Sequence, residues 1–228
     1  LKPWMCDAGC VMQDNATARL NMVNNQLLTN KLTDDRVAQA LLSVPRENFV
    51  PKALRGVAYV DEDIALGAGR FLMEPMAFAR MIQAANVGAE DVVLDVACAT
   101  GYSTAVLAQL AATVVGLEAD DEAVAAAEAQ LSALEVDNAA VVAGVLSDGC
   151  SEQGPYDVIF VNGAVATAPS AYADQLTEGG RLVVVEREGQ SSRAVIYTNK
   201  DGLISRRELF DAMIPVLPGF QAVEAFQF

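Results

Sequence analysis

The chain has 228 residues, a length that suits one globular domain with a sizeable core. Its 15 Lys and Arg stand against 30 Asp and Glu, and the net charge of −15 would repel a phosphate backbone, so we expect no nucleic acid partner. Apolar runs such as residues 158–161 are strand-sized, far below the ~20 residues that cross a bilayer, and we expect no membrane partner either.

The N-terminal segment LKPWMCDAGCV shows no clear periodicity. We interpret residues 1–11 as a leader or an extension that precedes a start at Met12. Cys6 and Cys10 have no His and no second cysteine pair nearby to complete a zinc site, so no metal is expected. The four cysteines of the chain are scattered and make no disulfide framework, which favours a reducing cytoplasm.

Helical periodicity dominates the next part of the chain. From about 14 to 54, apolar residues recur at three- and four-residue spacing, with Thr33 and Asp34 as possible N-caps for the second helix and Pro45 at its end. The stretch 59–75, YVDEDIALGAGRFLMEP, mixes acids with glycines and predicts a loop or a short hairpin. Pro75 suits the first turn of a further helix.

From residue 91 onward, strands and helices alternate. The strands, such as DVVLDVA at 91–97, are apolar on both faces and are separated by helices, which predicts a doubly wound, mostly parallel α/β sheet covered on both sides. After residue 178 little room remains for helices, so we expect the sheet to end in antiparallel strands. We therefore expect a single domain over 12–228, with N-terminal helices and loops at 12–88 and the sheet at 89–228.

The turn after the first sheet strand carries most of the functional information. Residues 95–101, DVACATG, lie where a doubly wound sheet usually binds its ligand. Gly101 keeps the last glycine position of such a loop, whereas Ala97 and Ala99 stand at earlier ones, and each alanine disfavours a positive φ without forbidding it. Glu118 ends the next strand at the spacing where an acid hydrogen-bonds the two hydroxyls of a ribose. Together these features predict an adenosine-type cofactor.

Two adenosine cofactors compete for this loop. A nicotinamide dinucleotide requires G-x-G-x-x-G to seat its pyrophosphate, and Ala97, Ala99 and Tyr102 fall across that pattern. The string LDVACATGYST, residues 94–104, instead resembles the first motif of class I S-adenosylmethionine-dependent methyltransferases, in which D-x-A-C-G-T-G variants occur. The resemblance implies a Rossmann-like methyltransferase fold and S-adenosyl-L-methionine as the cofactor.

Further strings narrow the resemblance to one family. VPRENFVP at 44–51, AYVDEDIALGAGR at 58–70 and PYDVIFVNGAVATAP at 155–169 are similar, in this order, to the protein-L-isoaspartate O-methyltransferases. The resemblance covers nearly all of the chain from about Asn21. It implies that the chain repairs isoaspartyl residues of damaged proteins by methyl esterification, and that the last strands of the sheet depart from the usual class I order.

The resemblance also assigns roles to named residues. The residues implied to bind the cofactor are Asp95, Ala97, Ala99, Gly101, Tyr102, Glu118, Val145 and Leu146. The residues implied to shape the substrate loop are Tyr59, Asp61, Gly69, Phe71, Glu74 and Asn162, and the catalytic position, a serine in the family, is held by Met73.

Two loops depart from the family's pattern. Where the family reads G-x-T-I-S-Q-P, this chain reads GRFLMEP, so that Phe71, Met73 and Glu74 replace Thr, Ser and Gln. The family's G-D-G aligns with residues 144–146, so the acid expected near the adenine is absent, and Asp148 replaces it only if the loop shifts. We expect a retained scaffold with an altered pocket.

A carboxylate acceptor needs no general base, because a pKa of about 4 leaves it ionised at neutral pH. The chain contains no His, which fits such an acceptor better than an amine or a phenol. The N-P-P-Y string of amino-methylating nucleic-acid enzymes and the Pro-Cys of cytosine enzymes are both absent. Two alternatives stay open: a relative that acts on another carboxylate, and a non-catalytic interaction module that binds the cofactor weakly.

Overall fold

The computed structural model describes residues 14–221, and a seven-stranded sheet forms the centre of that range. The predicted leader, residues 1–11 with its two cysteines, lies outside the described residues. The α-helices are α1 (Asn15–Asn21), α2 (Asp35–Ser43), α3 (Pro75–Ala85), α4 (Tyr102–Ala108), α5 (Asp121–Ala133) and α6 (Ser170–Ala173). A π-helix (Met22–Leu27) continues α1, and short 3₁₀ helices span Arg46–Phe49, Lys52–Val57, Leu146–Asp148 and Ser151–Gln153.

The strands fall into two sheets. They are β1 (Ile64–Gly67), β2 (Arg70–Leu72), β3 (Val92–Val96), β4 (Thr113–Glu118), β5 (Ala139–Ala143), β6 (Tyr156–Val165), β7 (Leu176–Glu188), β8 (Ser191–Lys200) and β9 (Leu203–Asp211). The first two pair as an antiparallel hairpin, which confirms the hairpin predicted within 59–75. The others form the main sheet in the order β5-β4-β3-β6-β7-β8-β9.

The main sheet has the predicted doubly wound architecture. Strands β3 to β7 are parallel, and β8 and β9 add on as antiparallel neighbours, each joined to the strand before it by a short turn. Strand β3 lies between β4 and β6, so the chain reverses its direction of travel across the sheet at this strand. Ligands of such sheets bind outside the carboxyl ends of the strands at this point.

Both faces of the central strands are buried. Val93 and Val158 pack into a large core shared with α2 to α5, whereas Leu94 and Ile159 point to the other face and pack into a smaller core. Tyr172 of α6 covers that second core. This two-sided burial explains why the strand sequences are apolar throughout. Within residues 14–221 the longest α-helix, α5, has 13 residues, and no helix there has the length and apolar character needed to cross a membrane.

The N-terminal helices agree in part with those predicted from the sequence. The side chain of Asp34 caps α2 by accepting a hydrogen bond from the Arg36 N–H at 2.9 Å, as predicted. The second α-helix ends at Ser43, before Pro45, as predicted, and the helical pattern that the sequence shows as far as residue 54 continues only as 3₁₀ turns. Pro45 and Pro51 explain this, because each lacks an N–H and disfavours helical geometry in the residue before it.

After β9 the chain returns from the edge of the sheet to its centre. The Ala164 N–H donates to the Pro215 carbonyl at 2.9 Å, the Leu217 N–H donates to the Ala164 carbonyl at 2.8 Å, and the Ala166 N–H donates to the Phe220 carbonyl at 2.9 Å. The last strand of the sheet therefore ends at Asp211. The returning segment lies against the carboxyl end of β6.

The turn between β3 and α4 has a left-handed backbone at three alternate positions. The φ angles are 59° at Ala97, 50° at Ala99 and 88° at Gly101. Left-handed geometry costs a residue with a side chain about 1–2 kcal/mol. The loop therefore keeps the shape of a glycine-rich turn although two of its three left-handed residues are alanines.

We expect Ala99→Gly to destabilise the protein less than Ala105→Gly, by about 1–2 kcal/mol, because only position 99 releases left-handed strain. Each change removes a buried methyl group and adds the freedom of glycine to the unfolded chain, so Ala105 in α4 is a matched control. Urea unfolding of the two variants measures the difference. Equal losses of stability would show that position 99 carries no strain.

Candidate cofactor and substrate site

A groove of about 730 Å³ opens at the carboxyl ends of β4 and β5, beside the point where the strand order reverses. It brings together three of the predicted cofactor residues, Glu118, Val145 and Leu146. The other lining residues are Ala68, Arg70, Ala119, Asp120, Ala123, Ala143, Gly144, Ser147, Pro218, Gly219 and Phe220. Asp148 is not among them, and its carboxylate accepts from the Ser147 hydroxyl at 3.1 Å. The loop has not shifted to replace the missing acid.

Glu118 is the buried acid of this groove, with 1% of its side chain exposed. Its Oε2 accepts a hydrogen bond from the Ala99 N–H at 2.9 Å, and its Oε1 accepts from the Ala119 N–H at 2.8 Å. The Arg70 guanidinium lies against both oxygens, with Nη2 at 2.5 Å from Oε1 and Nε at 3.2 Å from each. Both oxygen atoms of the carboxylate therefore accept hydrogen bonds from the protein.

Arg70 was not singled out by sequence reasoning. It lies in β2, 48 residues before Glu118, and its position in the GRFLMEP string gave no sign of the ion pair. One residue earlier, Gly69 has a φ of 72°, and a Cβ there would lie 2.7 Å from the Pro218 side chain. Gly69 thus allows the hairpin turn to approach the returning C-terminal segment, which also lines the groove.

A second, much smaller cavity of about 10 Å³ lies next to the turn at 97–101. It brings together six predicted residues, Phe71, Met73, Ala97, Ala99, Tyr102 and Asn162, with Leu66, Leu72, Phe78, Cys98 and Ser103. A cavity of this size is at the lower limit for one water molecule. Met73, at the predicted catalytic position, is therefore buried next to a cavity with almost no free space.

Asp95 is fully buried, and its partners are internal. Its Oδ2 accepts from the Ser103 hydroxyl at 2.7 Å and the Thr104 hydroxyl at 2.6 Å, and its Oδ1 accepts from the Asn162 amide at 2.6 Å. Burial raises the pKa of Asp95 to about 6, although these three donors oppose the rise and the nearby Glu118 adds to it. Asp95 and Asn162 thus hold β3, α4 and β6 together in this structure.

Tyr59 and Tyr102 belong to a buried network built on the VPRE string. The Arg46 guanidinium donates to the carbonyls of Ala58 and Met73, each at 2.7 Å, and lies 5.0 Å from the centre of the Tyr102 ring. The Tyr59 hydroxyl donates to the Glu47 carboxylate, and burial together with that contact raises the pKa of Tyr59. The Tyr59 side chain is therefore held inside the protein. Arg46, which sequence reasoning did not single out, binds the backbone carbonyl of Met73.

Three carboxylates gather where α3 begins. Asp61 accepts from the Met76 N–H at 2.9 Å and Asp63 accepts from the Glu74 N–H at 2.8 Å, which satisfies two of the free donors of the helix. Burial raises the pKa of Glu74 to about 7, and the charges of Asp61 and Asp63 add to the effect. Glu74 lines neither the groove nor the small cavity. Its substrate-loop role thus remains a prediction from the resemblance.

We expect Glu74→Gln to stabilise the protein, relative to the wild type, more at about pH 8 than at about pH 5. The pKa of Glu74 rises from its ordinary value of 4.5 to about 7 on folding, so the folded state binds more protons between these values and wild-type stability falls as pH rises. Glutamine does not ionise, which removes this loss.

Urea unfolding at the two pH values measures the effect. Glu90→Gln, a change at an exposed position, is the control and should show the pH dependence of the wild type. A constant difference between Glu74→Gln and the wild type at both pH values would contradict the raised pKa.

Comparison with known proteins identifies relatives over most of the chain. The family model for Protein-L-isoaspartate(D-aspartate) O-methyltransferase (PCMT) matches residues 18–217. A protein-L-isoaspartate O-methyltransferase of Koribacter versatilis is 35% identical over 206 residues, covering 90% of this chain and 93% of the relative. One of Methylorubrum extorquens is 39% identical over 208 residues, covering 90% of this chain and 91% of the relative.

The fold has solved counterparts as well. A beta-aspartate methyltransferase (PCMT) from Plasmodium falciparum, in complex with S-adenosyl-L-homocysteine, superposes with a TM-score of 0.75 at 22% sequence identity, covering 87% of this chain and 97% of that chain. At this identity the likeness concerns the fold alone. The family model and the relatives above 30% identity, however, span nearly the whole chain. This chain belongs to the protein-L-isoaspartate O-methyltransferase family.

Proposed function

We propose that this protein transfers a methyl group from S-adenosyl-L-methionine to the carboxylate of isoaspartyl residues in damaged proteins. Family membership supports the reaction and a protein substrate. The observation in the structure that carries the proposal is Glu118, a buried carboxylate at the carboxyl end of β4 that faces a groove of about 730 Å³. Such an acid is suited to hold the hydroxyls of a ribose.

The residues of the groove fit the adenosine half of this cofactor. Ala119, Ala143 and Leu146 supply apolar surface for a base next to Glu118, and Val145, 62% exposed, can cover it. The methionyl half would lie toward the turn at 97–101, where Gly101 caps α4 and the helix presents its free N–H groups. That space is the 10 Å³ cavity, so the side chains that fill it have to move before the cofactor fits completely.

The proposed reaction needs no side chain of the protein to act as a general base. The cofactor, when bound, supplies an electrophilic methyl group, and a carboxylate with a pKa of about 4 is already ionised to accept it. The chain's own residues then have to align the carboxylate and keep water away. Phe71, Leu72, Met73 and Phe78 supply apolar walls for this purpose, and Arg46 fixes the backbone of Met73.

The ion pair between Arg70 and Glu118 favours a second candidate, a non-catalytic interaction module that binds the cofactor weakly. Binding of S-adenosyl-L-homocysteine separates the two, since a lack of saturable binding up to millimolar concentrations would leave only the module.

Cys98 and Cys150 are free thiols, which supports a reducing compartment, and we propose the cytoplasm.

The function is tested with two peptides of the same sequence that differ only in an isoaspartyl or a normal aspartyl residue. We expect methyl groups from labelled S-adenosyl-L-methionine to appear on the isoaspartyl peptide and not on its twin. Methylation of both peptides would point to another carboxylate substrate. Cofactor binding without transfer to either peptide would contradict the proposed reaction.

We expect Glu118→Ala to weaken binding of S-adenosyl-L-homocysteine by about 1.5–3 kcal/mol, roughly ten- to a hundredfold, because a charge-assisted hydrogen bond to the ribose is lost. Titration calorimetry measures the affinity, and circular dichroism shows whether the variant is folded. Glu128→Ala, an exposed change on α5, is the matched control and should bind as the wild type does. Unchanged affinity in folded Glu118→Ala would remove Glu118 from the cofactor site.

A further inference from the structure

We propose that the hairpin Ile64–Leu72 is a latch that closes the cofactor site by placing Arg70 on Glu118. The inference rests on the proposed function, in which Glu118 holds the ribose. It adds a conformational step, because the hairpin has to release Glu118 before the cofactor binds. Arg70 is then a determinant of cofactor affinity that acts against binding.

Competition for the same oxygen atoms is the first support. A carboxylate offers about four lone-pair positions. The Ala99 and Ala119 N–H groups take one on each oxygen. The Arg70 guanidinium donates to both oxygens as well, with Nη2 at 2.5 Å from Oε1 and Nε at 3.2 Å from each. Two ribose hydroxyls would need the acceptor positions that Arg70 holds.

The position of Arg70 allows it to leave. Its side chain is 13% exposed and lines the groove beside Glu118, so the guanidinium reaches solvent by turning into the groove without crossing the core. Glu118, at 1% exposed, stays behind with its two backbone donors. The carboxylate is therefore left partly satisfied and ready to accept other donors.

The hairpin is also an element that can move by itself. It forms a two-stranded sheet separate from the main sheet, and isolated hairpins are marginally stable. Its turn has left-handed backbone at three successive residues, Gly67, Ala68 and Gly69. The two ends of the hairpin, Ile64 and Leu72, are anchored in the core, while its turn lies against Pro218.

One displacement would open both parts of the site. Strand β2 carries Arg70 at its start and continues into Phe71, Leu72 and Met73, which fill the small cavity next to the 97–101 turn. A shift of Arg70 and Phe71, the two half-buried residues of β2, would free Glu118 and enlarge that cavity together, while Leu72 stays anchored in the core. The closed cavity and the occupied carboxylate are thus two results of the same hairpin position.

The test is calorimetric titration of S-adenosyl-L-homocysteine into the full-length wild type and Arg70→Gln. We expect Arg70→Gln to bind about ten- to a hundredfold more tightly, because the competing charge-assisted contact is gone. Arg193→Gln removes an exposed ion pair with Glu208 on the far strands and is the matched control, expected to bind within about twofold of the wild type.

A second variant and a second background keep the test decisive. If Arg70→Gln does not fold, Arg70→Lys replaces the two-pronged contact by a point charge and should give a smaller gain in the same direction. In a Glu118→Gln background the gain from Arg70→Gln should disappear, since the carboxylate for which the two partners compete is absent. A merely structural role for Arg70 would not depend on Glu118 in this way.

The outcomes separate the latch from the proposed function. Equal, measurable affinities in wild type and Arg70→Gln would overturn the latch and leave the cofactor site standing. Weaker binding by Arg70→Gln would overturn it as well and make Arg70 a cofactor ligand. Absence of binding in both proteins up to millimolar ligand would overturn the latch and the proposed function together.

Discussion

A buried carboxylate at the end of β3 connects the elements that meet at the centre of this protein. Asp95 accepts hydrogen bonds from two hydroxyls at the start of α4 and from Asn162 in β6. A carboxylate buried without such partners would be strongly unfavourable, so the three donors have to be in place when the protein is folded. The position of α4 relative to the sheet, and with it the turn at 97–101, follows from this requirement.

The turn and the second buried carboxylate support each other. The Ala97 N–H donates to the Leu117 carbonyl at 2.8 Å and the Ala99 N–H donates to Glu118, so the end of β4 holds both alanines in left-handed geometry. Strain of this kind persists where the surrounding structure determines the backbone. The scaffold therefore holds the left-handed shape of the loop with alanines at two of its three left-handed positions. The altered GRFLMEP string lies directly above this preserved turn.

Sequence periodicity was sufficient for the architecture because it reports how each element is buried. The two-sided apolar strands gave the parallel sheet, and the lack of helical spacers after residue 178 gave the antiparallel strands β8 and β9. Pro45 correctly marked the end of the second helix, but the apolar spacing that continues to residue 54 does not distinguish an α-helix from the successive 3₁₀ turns found there.

The site was predictable in outline and not in its contacts. Spacing after a strand identified Glu118 and the 97–101 turn, because backbone topology alone brings strand ends together. Arg70, the ion-pair partner of Glu118, lies 48 residues earlier in the chain, in a hairpin. No local sequence pattern shows that this hairpin folds against the end of β4. The resemblance implied that Asp95 binds the cofactor, whereas the hydrogen bonds of its carboxylate run to Ser103 in α4 and Asn162 in β6, contacts that no local sequence pattern records.

The returning C-terminal segment has a consequence for the order in which the protein matures. Pro218, Gly219 and Phe220 line the groove, and backbone hydrogen bonds from Leu217 to Ala164 and from Ala166 to Phe220 hold this segment on the middle of the chain. During synthesis these residues leave the ribosome after every strand of the sheet. The groove is therefore finished only when translation has passed residue 220, and a nascent chain that has formed the sheet still lacks the wall against which a ligand would pack.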